Sequence, residues 1–378
     1  MVRPDFDGLD GPRSRARTLG ANNTRMADST LILSIDGMGG DAAPDVVVEG
    51  VDIAARRNNG SVRYLLHGDA ARLNALLERY PHAKAASEVV PAEKTIGMDV
   101  KASQALRQGK GSSLWNAVQA VEEGRAHAVV SAGNTGGYMA IAMFRLRTME
   151  GVHRPALAAR WPAATGGYVV ILDVGANVEA DSEQLVEFAI MGEAFQRAVS
   201  GNARPSVALL NVGAEDQKGH EEIRNAARLV REANLDMNFH GFVEGDDIAK
   251  GTVDVVVTDG FTGNIALKTG EGTARLVGQL LREALTSGPL AMLGALIATP
   301  ALKKLRARMD PGTFNGALFL GLNGLVVKSH GSASGPGYAA AIGVAEKMAR
   351  SDYREEIQRN LARLSRAPAA AAEKSADA

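Results

Sequence analysis

Lys218 and Asn264 are the two side chains in this sequence that are best placed to do chemistry. Each lies beside glycine in a loop that follows an apolar run, Lys218 in NVGAEDQKG and Asn264 in TDGFTGN. A lysine there could neutralise an anion, and an asparagine amide could donate to a reacting carbonyl oxygen. Two other interpretations stay open. Lys218 could be a surface lysine in an acidic turn with Glu215 and Asp216, and Asn264 could be a helix N-cap.

Glycine-rich loops supply the rest of the candidate site. Six such loops follow six apolar runs, and we expect them to converge where backbone N–H groups can approach a small anion. The candidate phosphate-binding residues in these loops are Gly39, Gly40, Asp41, Asn134, Thr135, Gly136, Asp259, Thr262, Gly263, His330, Gly331 and Ser332. Simpler roles remain open for three of these groups: Asn134–Gly136 as an N-cap turn, His330 as a structural hydrogen-bond partner, and Asp41 as a loop organiser.

The sequence lacks the motifs of several common chemistries. A P-loop would need glycine at Gln104, five positions before Gly109, and no Gly-x-Ser-x-Gly elbow occurs. The match of residues 37–42 to a dinucleotide fingerprint is weak, because Asp41 would meet a pyrophosphate. The seven histidines are scattered without metal-binding spacing, and there is no cysteine. We therefore expect no cofactor, no metal and no covalent nucleophile.

Direct displacement remains as a reaction that such a site could catalyse. Phosphate can itself attack a thioester. The leaving group is a thiolate, whose conjugate thiol has a pKa of about 8.5, so it leaves without strong acid assistance. The protein then only has to hold the anion against the acyl carbonyl and stabilise the oxyanion.

Composition excludes further classes of function. The net charge is -1 and aromatic residues make up 4% of the chain, which argues against nucleic-acid binding. No apolar run approaches the roughly 20 residues of a transmembrane helix. The arginine-rich start of the chain lacks the apolar region of a signal peptide, and Met26 would be a sensible initiator.

Alternating strand and helix patterns predict the elements that position these loops. Unalternating apolar runs predict strands at 31–36, 62–67, 126–132, 168–173, 206–212, 253–259 and 325–329. Helical patterns are predicted at 44–57, 112–123, 183–199, 221–232, 263–286 and 336–349. This order is typical of an α/β fold, a mostly parallel sheet covered by helices, whose ligand crevice lies at the carboxyl ends of the strands.

Six segments at these loops resemble the phosphate acyltransferase family of bacterial phospholipid synthesis, the PlsX type. They are IDGMGGDAAP, VSAGNTG, LDVGANVE, LLNVGAEDQKG, DVVVTDGFTGNIALK and LNGLVVKSHGS. The resemblance implies a three-layer α/β/α Rossmann-like fold, similar to phosphotransacetylase and isocitrate dehydrogenase-like enzymes. The sequence departs from the family pattern at Gly37, Ala42 and Gly137-Tyr138, and the loop His330-Gly331-Ser332 lacks the Ser-Asp or Ser-Asn that usually follows it.

The family's activity implies a reaction for this chain. It is transfer of a long-chain acyl group from acyl carrier protein to inorganic phosphate, giving acyl-phosphate for a membrane glycerol-3-phosphate acyltransferase. The family also implies a homodimer that is cytoplasmic and peripherally attached to the membrane. The alternatives are a phosphotransacetylase acting on short acyl-CoA and a non-catalytic acyl- or phosphate-binding regulator. We expect a tail at 1–28, the phosphate acyltransferase domain at 29–350, and a C-terminal helix with a frayed tail at 351–378.

A helical hairpin is expected within that domain, at about 263–310. Gly288-Pro289 should end its first helix, and Pro300 should interrupt the chain again. Between these breakers lies an apolar stretch with the candidate membrane contacts Leu290, Leu293, Leu296 and Ile297, followed by Lys303, Lys304, Arg306 and Arg308. An apolar tip beside cations suits shallow insertion into an anionic bilayer, and a buried core helix is the alternative.

Overall fold

A computed structural model describes residues 30–364 apart from residues 234 and 310. Its strands are β1 Leu31–Asp36, β2 Val62–Gly68, β3 Ser87–Pro91, β4 Ala128–Ser131, β5 Ala156–Pro162, β6 Tyr168–Leu172, β7 Ser206–Leu210, β8 Asn238–Val243, β9 Val255–Val257, β10 Ala317–Leu320 and β11 Leu325–Lys328. The expected N-terminal tail, the initiator Met26 and the end of the C-terminal tail lie outside the described residues.

Thirteen α-helices connect and cover these strands in the part of the chain that is described. They are α1 Asp45–Asn58, α2 Ala70–Leu77, α3 Pro81–Ala86, α4 Ala102–Gln108, α5 Ser113–Glu122, α6 Thr135–Leu146, α7 Ser182–Ser200, α8 Glu221–Glu232, α9 Gly245–Lys250, α10 Gly260–Leu285, α11 Pro289–Met309, α12 Gly335–Ala349 and α13 Tyr353–Leu364.

All eleven strands join one sheet in the order β3-β2-β1-β4-β11-β10-β5-β6-β9-β7-β8. The pairs are parallel except around β10 and β5, where β10 runs antiparallel to β11 and β5, and β5 runs antiparallel to β6. The mostly parallel α/β sheet expected from the sequence is therefore confirmed. Because β1, β4 and β11 are neighbours, their carboxyl ends open at one place.

The core lies on both faces of the sheet. Alternate residues of a strand point to opposite faces, so Ala128 and Val130 join one buried cluster while Val129 joins the other. One face packs against α1, α7, α12 and α13, and the other packs against α5, α6 and α9. This is the three-layer α/β/α arrangement that the resemblance implied.

The predicted elements differ from the structure in three respects. Helix α10 begins at Gly260, three residues before the expected start, because Asp259 caps it by accepting from the N–H of Thr262 at 2.8 Å. The interpretation of Asn264 as an N-cap is therefore wrong. The expected break at Gly288-Pro289 is present, but Pro300 does not interrupt the chain, since α11 runs through it. The strands β3, β5, β8 and β10 and the short helices α2, α3, α4 and α9 were not predicted.

Candidate active site

Three of the predicted loops meet at the carboxyl ends of β1, β4 and β11. The N–H of Asp41 donates to the carbonyl of Gly331 at 2.9 Å, and the N–H of Ser329 donates to the carbonyl of Ser131 at 2.8 Å. Gly39 lies so close to the next loop that a Cβ there would come within 2.8 Å of the Gly133 nitrogen. The structure thus brings together the candidates of the first, second and last loops.

The N-terminus of α6 presents backbone donors at this junction. Asn134 is the N-cap, and its side-chain oxygen accepts from the N–H of Gly137 at 2.7 Å. Its amide nitrogen donates to the carbonyls of Met98 and Val100, which ties the loop to the segment before α4. Thr135 and Gly136 are exposed, and among the described residues their N–H groups have no acceptor. Asn134 therefore fills the N-cap role and leaves two donors open to an anion.

A buried polar network underlies these loops. Asp36 is 1% exposed, and its carboxylate accepts from the Ser131 hydroxyl at 2.7 Å and from the Met38 N–H at 3.3 Å. Lys328, at the end of β11, is also buried, and its ammonium donates to the carbonyls of Ala132 and Ser329. Burial raises the pKa of Asp36 and lowers the pKa of Lys328 to about 8. The loops are thus held by charged groups as well as by backbone contacts.

His330 is engaged in a local turn. Its Nδ1 lies 2.9 Å from the Ser332 hydroxyl and accepts from the Ser332 N–H at 3.3 Å. Its own N–H donates to the side-chain oxygen of Asn315 at 2.9 Å. Partial burial lowers the pKa of His330 below its ordinary value. Burial thus favours the neutral ring, and the contacts of His330 organise the loop, which is the alternative role that the sequence left open.

A second group of loops follows β6 and β9. The buried carboxylate of Asp173 accepts from the N–H groups of Leu157, Gly175, Ala176 and Asn177 at 2.7–3.0 Å. The amide of Asn264 donates to the carbonyl of Val174 at 3.1 Å. Asn264 also lines a cleft of about 250 Å³ together with Gly175, Asn177, Val178, Gly260, Phe261 and Ile265. This cleft combines a polar amide with apolar walls, which suits a ligand that has a polar group on an apolar chain.

The predicted phosphate contacts at the start of α10 are occupied within the helix. Both the N–H and the hydroxyl of Thr262 donate to the Asp259 carboxylate at 2.8 Å. The N–H of Gly263 donates to the carbonyl of Asp259, and a Cβ on Gly263 would lie 2.0 Å from the carbonyl oxygen of Asp173. In the described structure, Asp259, Thr262 and Gly263 therefore cap and pack the helix.

Lys218 lies on the loop after β7, the strand next to β9. Its ammonium pairs with the Glu215 carboxylate at 2.9 Å, and both side chains are about half exposed. The loop closes around Asn211, whose amide donates to the carbonyl of Lys218 at 3.1 Å. No hydrogen bond joins Lys218 to Asn264 among the described residues. The surface ion pair that the sequence left as an alternative is thus the arrangement in this structure.

Helix α10 links the two groups of loops. Lys268, paired with Glu271 at 3.0 Å, lies close enough to Lys328 and His330 to influence their pKa values. The loops of β1, β4 and β11 therefore face the first turns of α10, on which Asn264 stands.

Sequence reasoning missed Lys328, Lys268, Asp36 and Ser131 as parts of the site. A usable signal existed for Lys328, because it ends the apolar run LVVK and immediately precedes a candidate loop. The other three lie at strand ends or on α10, where nothing in their spacing separates them from ordinary polar residues. No cluster of three or more His, Cys, Asp or Glu side chains suited to a metal occurs within the described residues.

Comparisons with known proteins place the chain among acyltransferases. The family model described as "Fatty acid synthesis protein" matches residues 31–356. A phosphate acyltransferase of Caulobacter vibrioides is 60% identical over 341 residues, covering 90% of this chain and 94% of the relative. A phosphate acyltransferase of Maricaulis maris is 55% identical over 331 residues, covering 87% and 94%.

Solved structures support the fold. A phosphotransacetylase from Streptococcus pyogenes aligns with a TM-score of 0.54 at 19% identity, covering 84% of this chain and 94% of its own. The EutD phosphotransacetylase from Staphylococcus aureus aligns with a TM-score of 0.53 at 17% identity, covering 85% and 95%. At these identities the likeness shows the α/β architecture alone.

Proposed function

The chain belongs to the fatty acid synthesis protein family, and on that premise we propose that it transfers a long-chain fatty acyl group from acyl carrier protein to inorganic phosphate. The products are acyl-phosphate and free acyl carrier protein. The observation that carries the proposal is the junction of the β1, β4 and β11 loops, where Thr135 and Gly136 are exposed and a buried lysine, Lys328, donates to the carbonyl of Ala132 in the same loop. The relatives that are 55–60% identical are named phosphate acyltransferase, which supports phosphate as the acceptor.

The reaction is a direct displacement in this proposal. A phosphate oxygen attacks the thioester carbonyl carbon, a tetrahedral oxyanion forms, and the C–S bond breaks to release the thiolate of the carrier. Asn264 lines the cleft where the carbonyl would lie, and its amide would donate to the oxyanion. Lys218 would turn from Glu215 toward the phosphate or the oxyanion. That exchange is easy because an exposed ion pair contributes little to stability.

Phosphate-dependent release of thiol tests this reaction. Palmitoyl-acyl carrier protein and acetyl-CoA are each mixed with the enzyme, with and without inorganic phosphate. We expect release from palmitoyl-acyl carrier protein only when phosphate is present. Faster release from acetyl-CoA would instead identify a short-chain phosphotransacetylase. No release from either donor, with retained acyl or phosphate binding, would identify a regulator.

Direct attack predicts that no acyl-enzyme forms. The chain has no cysteine, and no serine lies in a nucleophile elbow. Intact-mass spectrometry after mixing the enzyme with acyl donor in phosphate-free buffer should show the unmodified mass. A stoichiometric acyl adduct on any side chain would show that the mechanism is covalent.

The hairpin of α10 and α11 supports the homodimer and the membrane contact as parts of the same proposal. Of the 26 residues of α10, Gly260 and Gly263 are buried, while Leu276 and Leu280 are more than half exposed. Along α11 the exposed fractions of Leu290, Leu293, Leu296 and Ile297 are 55–83%. No helix among the described residues has the length and apolarity needed to span a bilayer. We assign the α10 face to a second copy, and the α11 tip, with Lys303 and Lys304 beside it, to the cytoplasmic surface of the membrane.

Membrane contact suits the chemistry of the product. An acyl-phosphate is a reactive mixed anhydride with an apolar tail, and in this proposal the next enzyme is a membrane glycerol-3-phosphate acyltransferase. Release beside the bilayer shortens the path of the product through water.

A further inference from the structure

Lys328 is a lysine in the interior of the sheet. It is the last residue of β11 and is 8% exposed, although lysine is among the residues that are rarely buried. Its ammonium donates to the carbonyl of Ala132 at 3.3 Å and also to the carbonyl of Ser329. These two carbonyls begin the loops that carry Asn134–Gly136 and His330–Ser332. A single side chain therefore holds two of the three loops that meet at the candidate phosphate site.

The contacts of Lys328 fix the first peptide of each loop. In a trans peptide the carbonyl and the following N–H point in opposite directions. In the peptide between Ala132 and Gly133, the carbonyl points toward Lys328. The N–H of Gly133 therefore points the other way and donates to the Ser131 hydroxyl at 2.9 Å. The peptide after Ser329 likewise directs the N–H of His330 to Asn315 at 2.9 Å. Each of these peptides is hydrogen-bonded through both its carbonyl and its N–H. The direction in which each loop leaves its strand is therefore fixed.

The charge of Lys328 balances carboxylates at the same place. Asp41 and Asp36, both on the β1 side, are the acids that favour its protonated form. An arriving phosphate dianion would otherwise meet two carboxylates in a partly dehydrated site, where like charges repel strongly. A cation at this depth offsets that repulsion without occupying the space of the ligand.

From this placement we infer that Lys328 is a positioning residue for the phosphate acceptor, holding the β4 and β11 loops open and offsetting the carboxylates beside them. The inference rests on the proposed function, because it assigns the anion that these loops accept. Lys328 forms no bond to the acyl group and takes no proton in the reaction.

Substitution of Lys328 separates this role from simple packing. Lys328→Met keeps the length of the chain and removes the charge, and we expect the KM for phosphate to rise about tenfold or more. The KM for acyl carrier protein should stay within about twofold of wild type. Lys347→Met is the matched control, because that lysine is exposed and donates to the carbonyl of Val199 away from the site. Acyl-phosphate formation by the wild type shows separately that the proposed function holds.

A second variant tests the charge balance. Adding Asp41→Asn to Lys328→Met removes one of the carboxylates that the lysine offsets, so the double variant should recover part of the lost affinity for phosphate. An unchanged phosphate KM in Lys328→Met would overturn the inference. A phosphate KM that is equally raised in the single and double variants would also overturn it, because the effect would then come from packing alone.

The wild type supplies a measurement that does not depend on how the variant folds. Sulfate keeps its charge across the alkaline range, so the rise in Tm that it causes, relative to chloride at equal ionic strength, reports the protein's own charge. Because the pKa of Lys328 is about 8, protection by sulfate should be strong at pH 7 and weak at about pH 9. Protection that does not change over this range would overturn the inference. The charged groups that act on the pKa of the lysine are Asp36, Asp41 and Lys268, and Lys328 in turn acts on the pKa of His330.

Discussion

The carboxyl edge of the sheet and the α10–α11 hairpin differ in whether their side chains find partners within one chain. At the edge, Asp36, Asp173 and Lys328 are buried, and each is hydrogen-bonded to loop backbone. On the hairpin, apolar side chains such as Leu290 and Ile297 are three-quarters exposed or more, at 83% and 76%. Exposed apolar surface of this extent is typical of a face that contacts another molecule.

The difference indicates a division of labour between the two regions. The edge is preorganised, since its loops are fixed before any ligand arrives. The hairpin leaves apolar side chains exposed in the single chain, and in our proposal a second copy and lipid cover them. Helix α10 belongs to both regions, because its first turns pack on the β6 loop and, through Gly270, on Trp161 of β5, while Leu276 and Leu280 further along are more than half exposed. Changes at the edge should therefore affect chemistry and folding, and changes on the hairpin should affect assembly and localisation.

The largest expected effect is on turnover, from Lys218→Ala or Asn264→Ala. Each group would stabilise charge in the transition state, so kcat should fall by about a hundredfold or more while the fold is kept. Lys250→Ala is the matched control, because Lys250 is an exposed lysine in a similar ion pair, with Asp246 at 2.6 Å. Steady-state kinetics and a circular dichroism spectrum would check this. Near-wild-type turnover in a folded Lys218→Ala protein would contradict the assignment.

Alanine substitutions at two glycines of α10 test the difference between its packed beginning and its exposed later turns. Alanine at Gly263 would place a Cβ 2.0 Å from the carbonyl oxygen of Asp173, so we expect a loss of about 3 kcal/mol in the free energy of unfolding. Alanine at Gly272, where a Cβ meets nothing within 4 Å, should stabilise the protein by about 0.5–1 kcal/mol through helix propensity. Urea denaturation of both variants measures the contrast. Equal effects would mean that α10 does not pack on the β6 loop as described.

Binding to anionic vesicles should depend on the tip of α11. Leu293→Glu together with Leu296→Glu should abolish co-sedimentation with such vesicles and leave activity in solution intact. Arg56→Glu, on α1, changes the net charge by the same amount and serves as the control. Continued co-sedimentation of the double variant would exclude the tip as the membrane contact, and its unfolding would assign the tip to the core or to an interface.

The smallest expected effect on the fold comes from the face of α10. Leu276→Glu with Leu280→Glu should shift the protein from dimer to monomer in sedimentation velocity, since these side chains are 55% and 54% exposed in the single chain. Arg282→Glu, on the opposite side of the helix, carries the same change in charge and should leave the dimer intact. A dimer that survives the double substitution would place the interface elsewhere.

Local patterns in the sequence were enough to predict much of the fold. Four elements were predicted from local sequence alone, namely the strands β1, β6 and β11 and the helix α8. Their residues favour the observed strand or helix without contacts from distant segments. The strands β5 and β8 were missed because their runs contain polar or turn-forming residues, ALAARWP and NFHGFV. Strand β5 pairs with β6 and β10, strand β8 pairs with β7, and this pairing overrides their weak propensity.

Proline and asparagine show where local rules fail. Pro300 removes one helical N–H, but the alanine, leucine and lysine residues around it are strong helix formers, and α11 continues through it. Asn264 was expected at a helix start, whereas Asp259 already supplies the cap and places the asparagine in the second turn. Its amide consequently donates across to the β6 loop.

The sequence by itself determined that glycine-rich loops follow the strands, because glycine and apolar β-branched runs act through local backbone geometry. Only the tertiary structure decided which loops meet, since the order of strands depends on packing between distant segments. It brought residues 36–41, 131–136 and 328–332 together and left Lys218 on another loop, paired with Glu215. Lys328 became part of the site for the same reason: burial between neighbouring strands, which no local pattern encodes, lowers its pKa and turns its ammonium toward two loop carbonyls.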